Sequence, residues 1–145
     1  MVPHDFSAAA RRAAELAMTE ARVHGAGVLL LHVVELVPQF GPDTTLILPE
    51  GGDTPIGVHA YFRRRAEADL AQVARELAGP VAIRWIVREG SPADEILAVA
   101  REQPVDAIAM GTHGRTGLRH VLAGSVAERV VRESPVPVFT TRQPD

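Results

Sequence analysis

The sequence predicts an α/β fold in one domain of residues 1–145, with an open, parallel, five-stranded sheet that carries helices on both faces. Short, almost wholly apolar segments alternate along the chain with longer segments in which apolar residues recur at helical spacing. This alternation favours right-handed strand-helix-strand crossovers, which make a sheet parallel. A chain of 145 residues with 46% hydrophobic residues is long enough and apolar enough to bury one core.

The first helix and the strand after it have clear boundary signals. Ser7 is a typical N-cap residue and Gly25 is a typical residue at a helix C-terminus, so Ala8 to His24 is predicted to be helical. Val28 to Val34 is apolar apart from His32, which indicates a central strand covered on both faces. We interpret His32 as a structural residue rather than a ligand.

A long loop and a second helix are predicted next. Prolines and glycines interrupt the segment from Glu35 to Gly57 throughout. This loop is either a lid near a site or a mobile insertion, and loop-length statistics favour the insertion. Helical spacing then returns, and Gly79-Pro80 ends the helix, whose apolar residues are Ala66, Leu70, Val73 and Leu77.

The third helix has a proline and an acidic residue at its start. Val81 to Val87 alternates in polarity and is expected to form a strand nearer the sheet edge. Ser91-Pro92-Ala93-Asp94 then combines an N-cap residue, a proline at the first helical position and an acid at the third. This pattern predicts an Asp variant of the capping box and a helix that ends at about Glu102.

The last three elements follow the same alternation. We predict a strand from Val105 to Met110, a helix from Ser125 to Glu133 and a final strand from Val136 to Thr140. Pro137 would remove a hydrogen-bond donor from the final strand, which places that strand at an edge of the sheet. Such an edge is a natural place for two copies of the chain to meet.

Composition excludes several kinds of site. The chain has no cysteine and no lysine, so disulfides, thiolate chemistry, P-loops and lysine bases are absent. A net charge of −3, with one Trp and one Tyr, argues against a nucleic-acid surface. The histidine spacing predicts no protein-built metal site. No apolar run reaches the length of a membrane span, and the N-terminus lacks a signal-peptide pattern, so we expect a cytoplasmic protein.

A glycine-rich segment between the fourth strand and the last helix is the most informative part of the chain. Gly111 and Gly114 allow main-chain N–H groups to approach an anion, and Gly124-Ser125 would add a hydroxyl and the positive end of a helix dipole. The segment therefore predicts a phosphate-binding loop. Its spacing matches neither the dinucleotide fingerprint nor the P-loop, and ordinary turn glycines remain an equal alternative at this point.

Four segments together resemble the universal stress protein family. The spacing Gly111-x-x-Gly114, then nine residues, then Gly124-Ser125, is similar to the ATP-binding signature of that family. The other three resemble its V-P-T-D-F-S opening, its L-H-V strand and its E-G turn, and they are Val2 to Ser7, Leu31 to Val34 and Glu89-Gly90. The resemblance covers essentially the whole chain in the expected order.

The resemblance implies a Rossmann-like fold similar to adenine nucleotide alpha hydrolases, with ATP as ligand and Mg²⁺ carried by the nucleotide. Pro3 and Asp5 would lie beside the nucleotide, the Val33 main chain would read the adenine edge, and Met110 would pack near the base or sugar. The residues implied for the phosphates are Gly111, Gly114, Gly124, Ser125 and Val126, and Arg115 lies where the family often has a basic residue. Thr112 and His113 complete the set of predicted nucleotide-binding residues in this loop. A homodimer would form through Val136, Val138 and Thr140 of the last strand.

Several alternatives stay open at this stage. Only Met1 and Val2 precede Pro3, so the first strand is expected to be shorter than the family's. Asp5 has an alternative role as a cap for the first helix, and His113 is expected to be an exposed loop residue. We identify no catalytic residue, because Ser125 lacks a neighbouring base. The function is an ATP-binding stress regulator, or else a dimeric interaction module without nucleotide, or at most a slow ATP hydrolase.

Overall fold

The computed structural model describes residues 1–35, 41, 44–47, 55–112 and 125–142. In these ranges the chain forms four helices and seven strands, in the order β1 (Val2–Pro3), α1 (Ala8–His24), β2 (Val28–Val34), β3 (Thr45–Ile47), β4 (Pro55–Gly57), α2 (Val58–Glu76), β5 (Ile83–Glu89), α3 (Pro92–Glu102), β6 (Ile108–Gly111), α4 (Ser125–Glu133) and β7 (Val138–Thr141).

The boundary signals of α1 act as the sequence predicts. The Ser7 hydroxyl oxygen accepts a hydrogen bond from the Ala10 N–H at 3.2 Å, and so satisfies one of the unpaired donors of the first turn. Gly25 adopts the left-handed conformation with φ of 63°, and its N–H bonds to the Ala21 carbonyl. The predicted bounds of α1, and likewise those of α4, are confirmed.

The strands pair mainly in parallel. β1, β2 and β5 form one parallel ladder in the order β1-β2-β5, and β6 and β7 form a second. Met1 links the two ladders, because its carbonyl accepts a hydrogen bond from the Ala109 N–H at 2.9 Å. The predicted count of five strands in one sheet is not exact, since the described residues form ladders of three and two strands and a separate hairpin.

Helices cover both faces of the parallel strands, as predicted. Adjacent residues of a strand point to opposite faces, and the fully buried Leu30 and Leu31 belong to two different apolar clusters. The Leu30 cluster includes residues of α1 and α2, such as Met18 and Leu70. The Leu31 cluster includes residues of α3 and α4, such as Val99 and Val130. The core is therefore divided into two layers by the strands.

The prediction of an unbroken loop from Glu35 to Gly57 was wrong. β3 and β4 form an antiparallel pair in which Leu46 lies opposite Ile56. Three-residue strands leave too short a polarity pattern to be recognised among so many prolines and glycines. Residues 36–40, 42–43 and 48–54 of the predicted loop lie outside the described residues.

The placement of Pro137 inside the last strand also needs correction. β7 begins at Val138, and the Pro137 carbonyl accepts a hydrogen bond from the Ile108 N–H at 2.9 Å. Main-chain groups alternate in direction along a strand, so Pro137 faces β6 and not the outer edge. The outer edge of β7 therefore carries the main-chain N–H groups of Val138 and Thr140.

The bounds of β5 and the capping of α3 differ from the predictions. β5 runs from Ile83 to Glu89, two residues later than predicted. Ser91 takes the N-cap position of α3, but its side chain makes no capping hydrogen bond to the helix main chain. The Asp94 carboxylate instead accepts a hydrogen bond from Arg129 at 2.5 Å, which ties α3 to α4. The predicted helix bounds themselves are confirmed.

Gly111 is required where α1 crosses β6. A Cβ atom added at Gly111 would lie 2.7 Å from the Ala9 Cβ and 3.0 Å from the Ala9 carbonyl carbon. We expect Gly111→Ala to lower the free energy of unfolding by about 1–3 kcal/mol, because helix backbone must move to make room. Urea unfolding measures the loss. Gly79→Ala is the control, since a Cβ atom added there would meet only the Leu77 oxygen, at 3.9 Å. Equal stability of the two variants would contradict the crowding at Ala9.

Candidate functional site

The described residues of the predicted site lie at one edge of the parallel strands. β1 pairs in parallel with β2 and is hydrogen-bonded to β6 through Met1, so the carboxyl ends of the three strands meet at the same edge. This edge is where open α/β sheets bind ligands. The predicted site residues that end or follow these strands are Pro3, Asp5, Val33, Met110, Gly111 and Thr112.

Three of the predicted residues pack in the same apolar cluster. Met110 is buried and belongs to the Leu31 cluster. Val33 at the end of β2 and Val126 in the first turn of α4 are partly buried and pack against the same cluster. The fold thus brings together three residues that lie far apart in the sequence. Their apolar side chains pack on the face of the sheet that α3 and α4 cover.

The main chain of Val33 points towards the place where β1 has ended. Val28 and Val34 bond to the β5 side of β2, so the alternation of main-chain groups directs Val33 to the β1 side. β1 ends at Pro3, and the next carbonyl, that of His4, accepts from His32 Nδ1 at 2.7 Å. Among the described residues no main-chain hydrogen bond joins Val33 to the β1 side.

The Asp5 carboxylate is tied to the start of α1. Asp5 Oδ1 accepts hydrogen bonds from the Ser7 N–H at 3.1 Å and from the Ser7 hydroxyl at 2.6 Å. Asp5 thus bonds to the N-cap residue Ser7, and the alternative role that the sequence allowed, a cap for the first helix, stays a prediction. These bonds also hold the carboxylate in one orientation at the carboxyl end of β1, where a ligand hydroxyl would find a preformed acceptor.

The beginning of the glycine-rich segment is anchored to α1 and β7. The Thr112 N–H donates to the Thr141 carbonyl at 2.9 Å, and the Thr112 hydroxyl donates to the same oxygen at 3.3 Å. The Thr141 hydroxyl donates to the Ala9 carbonyl at 3.0 Å. Together with the contact of Gly111 on Ala9, these bonds fix the point at which the segment leaves the sheet.

The centre of the predicted phosphate loop lies outside the described residues. The four predicted positions there are His113, Gly114, Arg115 and Gly124. The main chain is described again from Ser125, where α4 begins. The helix therefore starts at the predicted position, with Val126 in its first turn.

His4 is a buried residue that the sequence reasoning did not single out. Only 4% of its surface is exposed, and its Nδ1 accepts a hydrogen bond from the Phe6 N–H at 3.2 Å. Its Nε2 is buried and has no hydrogen-bond partner among the described residues. Burial lowers the pKa of His4 from 6.5 to about 4; the Asp5 carboxylate opposes this shift, and Arg11 and His32 add to it. The available sequence signal is the histidine itself, at a position where the family motif has threonine.

Phe6 connects His4 with His32. Phe6 has φ of 64°, a left-handed conformation that is uncommon for a bulky residue and costs about 1 kcal/mol or more. Its ring centroid lies 5.3 Å from that of His4 and 4.7 Å from that of His32. His32 donates to the His4 carbonyl, which agrees with its interpretation as a structural residue. We call these three side chains the His4 cluster.

A cavity of about 500 Å³ lies at the carboxyl end of β5. Its charged groups are largely paired with one another: Arg63 lies 3.8 Å from Glu89 and 3.3 Å from Glu67, and Arg88 is hydrogen-bonded to Glu102. Residues 86–89 and the side chains of Arg63 and Glu95 line the cavity. Arg63 and Arg88 are thus engaged by carboxylates, although the buried Arg88 Nε has no hydrogen-bond partner among the described residues.

Within the described ranges no three His, Asp or Glu side chains are grouped closely enough to hold a metal ion. No helix in the same ranges is long and apolar enough to cross a membrane.

Comparison with known proteins gives a consistent result. A model of the universal stress protein family matches residues 1–142. A universal stress protein of Thermus aquaticus is 34% identical over 143 residues, which cover 98% of this chain and 96% of the relative. Universal stress protein MJ0531 of Methanocaldococcus jannaschii is 32% identical over 150 residues, covering 99% and 81% of the two chains.

Solved structures agree with these sequence relatives. The structure of hypothetical protein MJ0577 superposes with a TM-score of 0.80 at 27% identity and covers 99% of this chain and 94% of that one. An Arabidopsis thaliana protein of the universal stress protein family, solved with AMP bound, has a TM-score of 0.61 at 20% identity over 99% of this chain and 90% of that one. At this identity the second structure shows the fold alone.

The buried His4 makes stability depend on pH. An unfolded chain binds a proton at this histidine below pH 6.5, whereas the folded chain does so only near pH 4, so the free energy of unfolding falls as the pH falls through that window. The loss attributable to His4 is about 3 kcal/mol. Urea unfolding at several pH values measures it, and the His4→Leu variant lacks this contribution.

The matched control is His24→Leu, because the His24 side chain is 70% exposed. The lowered pKa values of Asp94, Glu76 and Glu133 also make the free energy of unfolding fall as the pH falls, but only below the ordinary pKa values of these carboxyl groups. All the variants share this contribution. An equal pH slope for the wild type and His4→Leu would show that His4 is not the source.

Proposed function

Because the chain belongs to the universal stress protein family, we propose that it binds ATP at the carboxyl edge of its parallel strands and acts as a regulatory protein in a stress response. The observation that carries the proposal is the convergence of six predicted site residues from β1, β2 and β6 at that edge. We treat residues 1–145 as a single domain of the family.

The adenine half of the proposed site is supported by Val33. Its main-chain N–H and C=O point to the side vacated by β1, where a base offers a complementary donor and acceptor. Met110 and Val126, on the same apolar cluster, supply contact surface for a flat ring. Asp5 Oδ1 is held in place by Ser7, so the carboxylate is preorganised to accept from a ribose hydroxyl.

The phosphate half of the proposed site depends on the glycine-rich segment. We propose that main-chain N–H groups of the predicted positions from Gly111 to Val126 and the positive end of α4 hold the phosphates. Arg115 would supply a positive charge. Mg²⁺ would be held mainly by phosphate oxygens and water, since the described residues offer no group of three side-chain ligands.

Turnover of the bound nucleotide is not part of the first proposal. Hydrolysis needs a positioned base or nucleophile near the terminal phosphate. Asp5 Oδ1 is engaged by two donors from Ser7, at the start of α1. We therefore propose sensing rather than efficient hydrolysis, with a slow ATP hydrolase as the alternative. An interaction module without nucleotide is the other alternative. A cytoplasmic location stays a prediction from the sequence.

Calorimetric titration with MgATP tests the proposed site. We expect wild-type protein to bind in the micromolar range and Gly114→Val to give no measurable binding, because a branched side chain would occupy the space meant for a phosphate. Gly79→Val is the control, since Gly79 lies in an exposed turn where an added Cβ makes only ordinary contact. Absence of binding by folded wild-type protein would leave the interaction module as the function.

A homodimer through the last strand is a separate proposal. β7 pairs with β6 on one side only within the described residues, and 48% of Phe139 is exposed. The outward main-chain groups of Val138 and Thr140 form an edge to which a second copy, with Val136 beside it, would add its own strand.

Sedimentation velocity measures the assembly. We expect Thr140→Pro to give a monomer, because it removes one outward donor, and Thr140→Val, which keeps that N–H, to give a dimer. A dimeric Thr140→Pro variant would place the interface elsewhere.

A further inference from the structure

The turn from β1 into α1 is held by two histidines, of which His32 belongs to the L-H-V strand segment and His4 departs from the resembled opening motif. His4 lies where the resembled motif has threonine, and it is the buried polar side chain of the described ranges. It precedes Asp5 directly, and its carbonyl lies on the side to which Val33 points. Both groups belong to the proposed nucleotide site, so the surroundings of His4 bear on ligand recognition.

The His4 side chain fixes the backbone that follows Asp5. A main-chain N–H can only donate, so the bond from Phe6 requires an unprotonated Nδ1 and a neutral ring that carries its hydrogen on Nε2. This bond closes a two-residue turn over Asp5 and holds Phe6 in its left-handed conformation. The turn directs the Asp5 carboxylate towards Ser7. Loss of the Nδ1 acceptor would therefore release Phe6 from its strained conformation and move Asp5.

The His4 carbonyl lies next to the main-chain groups of Val33 and affects whether they are hydrogen-bonded. In a continued parallel ladder this carbonyl would accept from the Val33 N–H, because the His4 N–H already bonds to the Leu31 carbonyl at 2.8 Å. His32 Nδ1 donates to it instead at 2.7 Å. The His32 side chain thereby binds the oxygen that would otherwise close the ladder, and among the described residues no hydrogen bond joins the Val33 N–H to it.

We propose that the His4 cluster is a positioning element of the nucleotide site: the His4 ring sets the turn that carries Asp5, and His32 holds the His4 carbonyl away from Val33. The proposal rests on the proposed function, since both groups act on a bound nucleotide. Neither histidine is assigned a contact with the ligand. Each acts through a neighbour, one through Asp5 and the other through Val33.

Asparagine and leucine substitutions separate positioning from packing. Asn carries an oxygen that can replace the Nδ1 acceptor of His4, and an amide nitrogen that can replace the Nδ1 donor of His32. Leu fills apolar space but offers neither group. We expect His4→Leu and His32→Leu to weaken MgATP binding about tenfold, and His4→Asn and His32→Asn to stay within about threefold of wild type, as measured by calorimetry. A packing role predicts the opposite order, because Leu fills the buried space better than Asn.

A double-variant cycle shows whether His4 acts through Asp5. If it does, Asp5→Ala combined with His4→Leu binds MgATP no more weakly than Asp5→Ala alone. Additive losses would overturn that step. His24→Leu is the control and should bind as wild type does, because His24 is exposed at the end of α1. Wild-type protein that binds no MgATP would remove the proposed function and this proposal together, whereas tight binding by both Leu variants would remove this proposal alone.

The ring state of His4 is measurable on the wild-type protein, so the proposal is testable even where a Leu variant fails to fold. Long-range ¹H–¹⁵N NMR correlations distinguish the two neutral forms of histidine. We expect His4 at pH 7 to carry its hydrogen on Nε2, and His32 to carry a hydrogen on Nδ1. A hydrogen on His4 Nδ1 would be incompatible with the bond from Phe6 and would overturn the proposed turn.

Discussion

The main chain of β1 is the constraint on which the rest of the site depends. This strand has two residues, yet it lies between β2 and β6 and provides hydrogen bonds to both. It ends at Pro3, opposite Leu31, whereas β2 continues to Val34. One side of β2 beyond Leu31 therefore has no β1 strand beside it, and Asp5 follows β1 at this edge of the sheet. A longer pairing between β1 and β2 would cover the edge that we assign to the base.

Close packing and ring contacts both hold this edge on the face of the strands that α1 covers. α1 approaches β6 so closely that Gly111 has no room for a side chain, and the carbonyl of Ala9 also accepts from Thr141. Phe6 packs against the apolar cluster that includes residues of α1 and α2, and its ring lies against those of His4 and His32 in a left-handed turn. The described part of the site is therefore held by helix packing and by partly buried hydrogen bonds, and Thr112 anchors the start of the glycine-rich segment to β7.

The sequence predicted most of the helices because their signals are local. Ser7 and Gly25 mark α1, and Pro92 marks the start of α3, within one turn of each helix end. It failed for β3 and β4, whose three residues each are too few for a polarity pattern. It also placed Pro137 inside the last strand and on its outer edge. Only the hydrogen bond from Ile108 shows that the main chain of Pro137 faces β6, and β7 begins one residue later.

By itself, then, the sequence determined the alternation of strands and helices and the order in which candidate site residues follow the strands. Apolar periodicity and capping residues carry that information over a few neighbouring positions. Only the tertiary structure decided that His4 is buried, that Phe6 is left-handed and that Gly111 contacts Ala9. Each of these properties depends on atoms from other strands or helices, and a residue's own neighbours in the chain do not specify which distant backbone will lie against it.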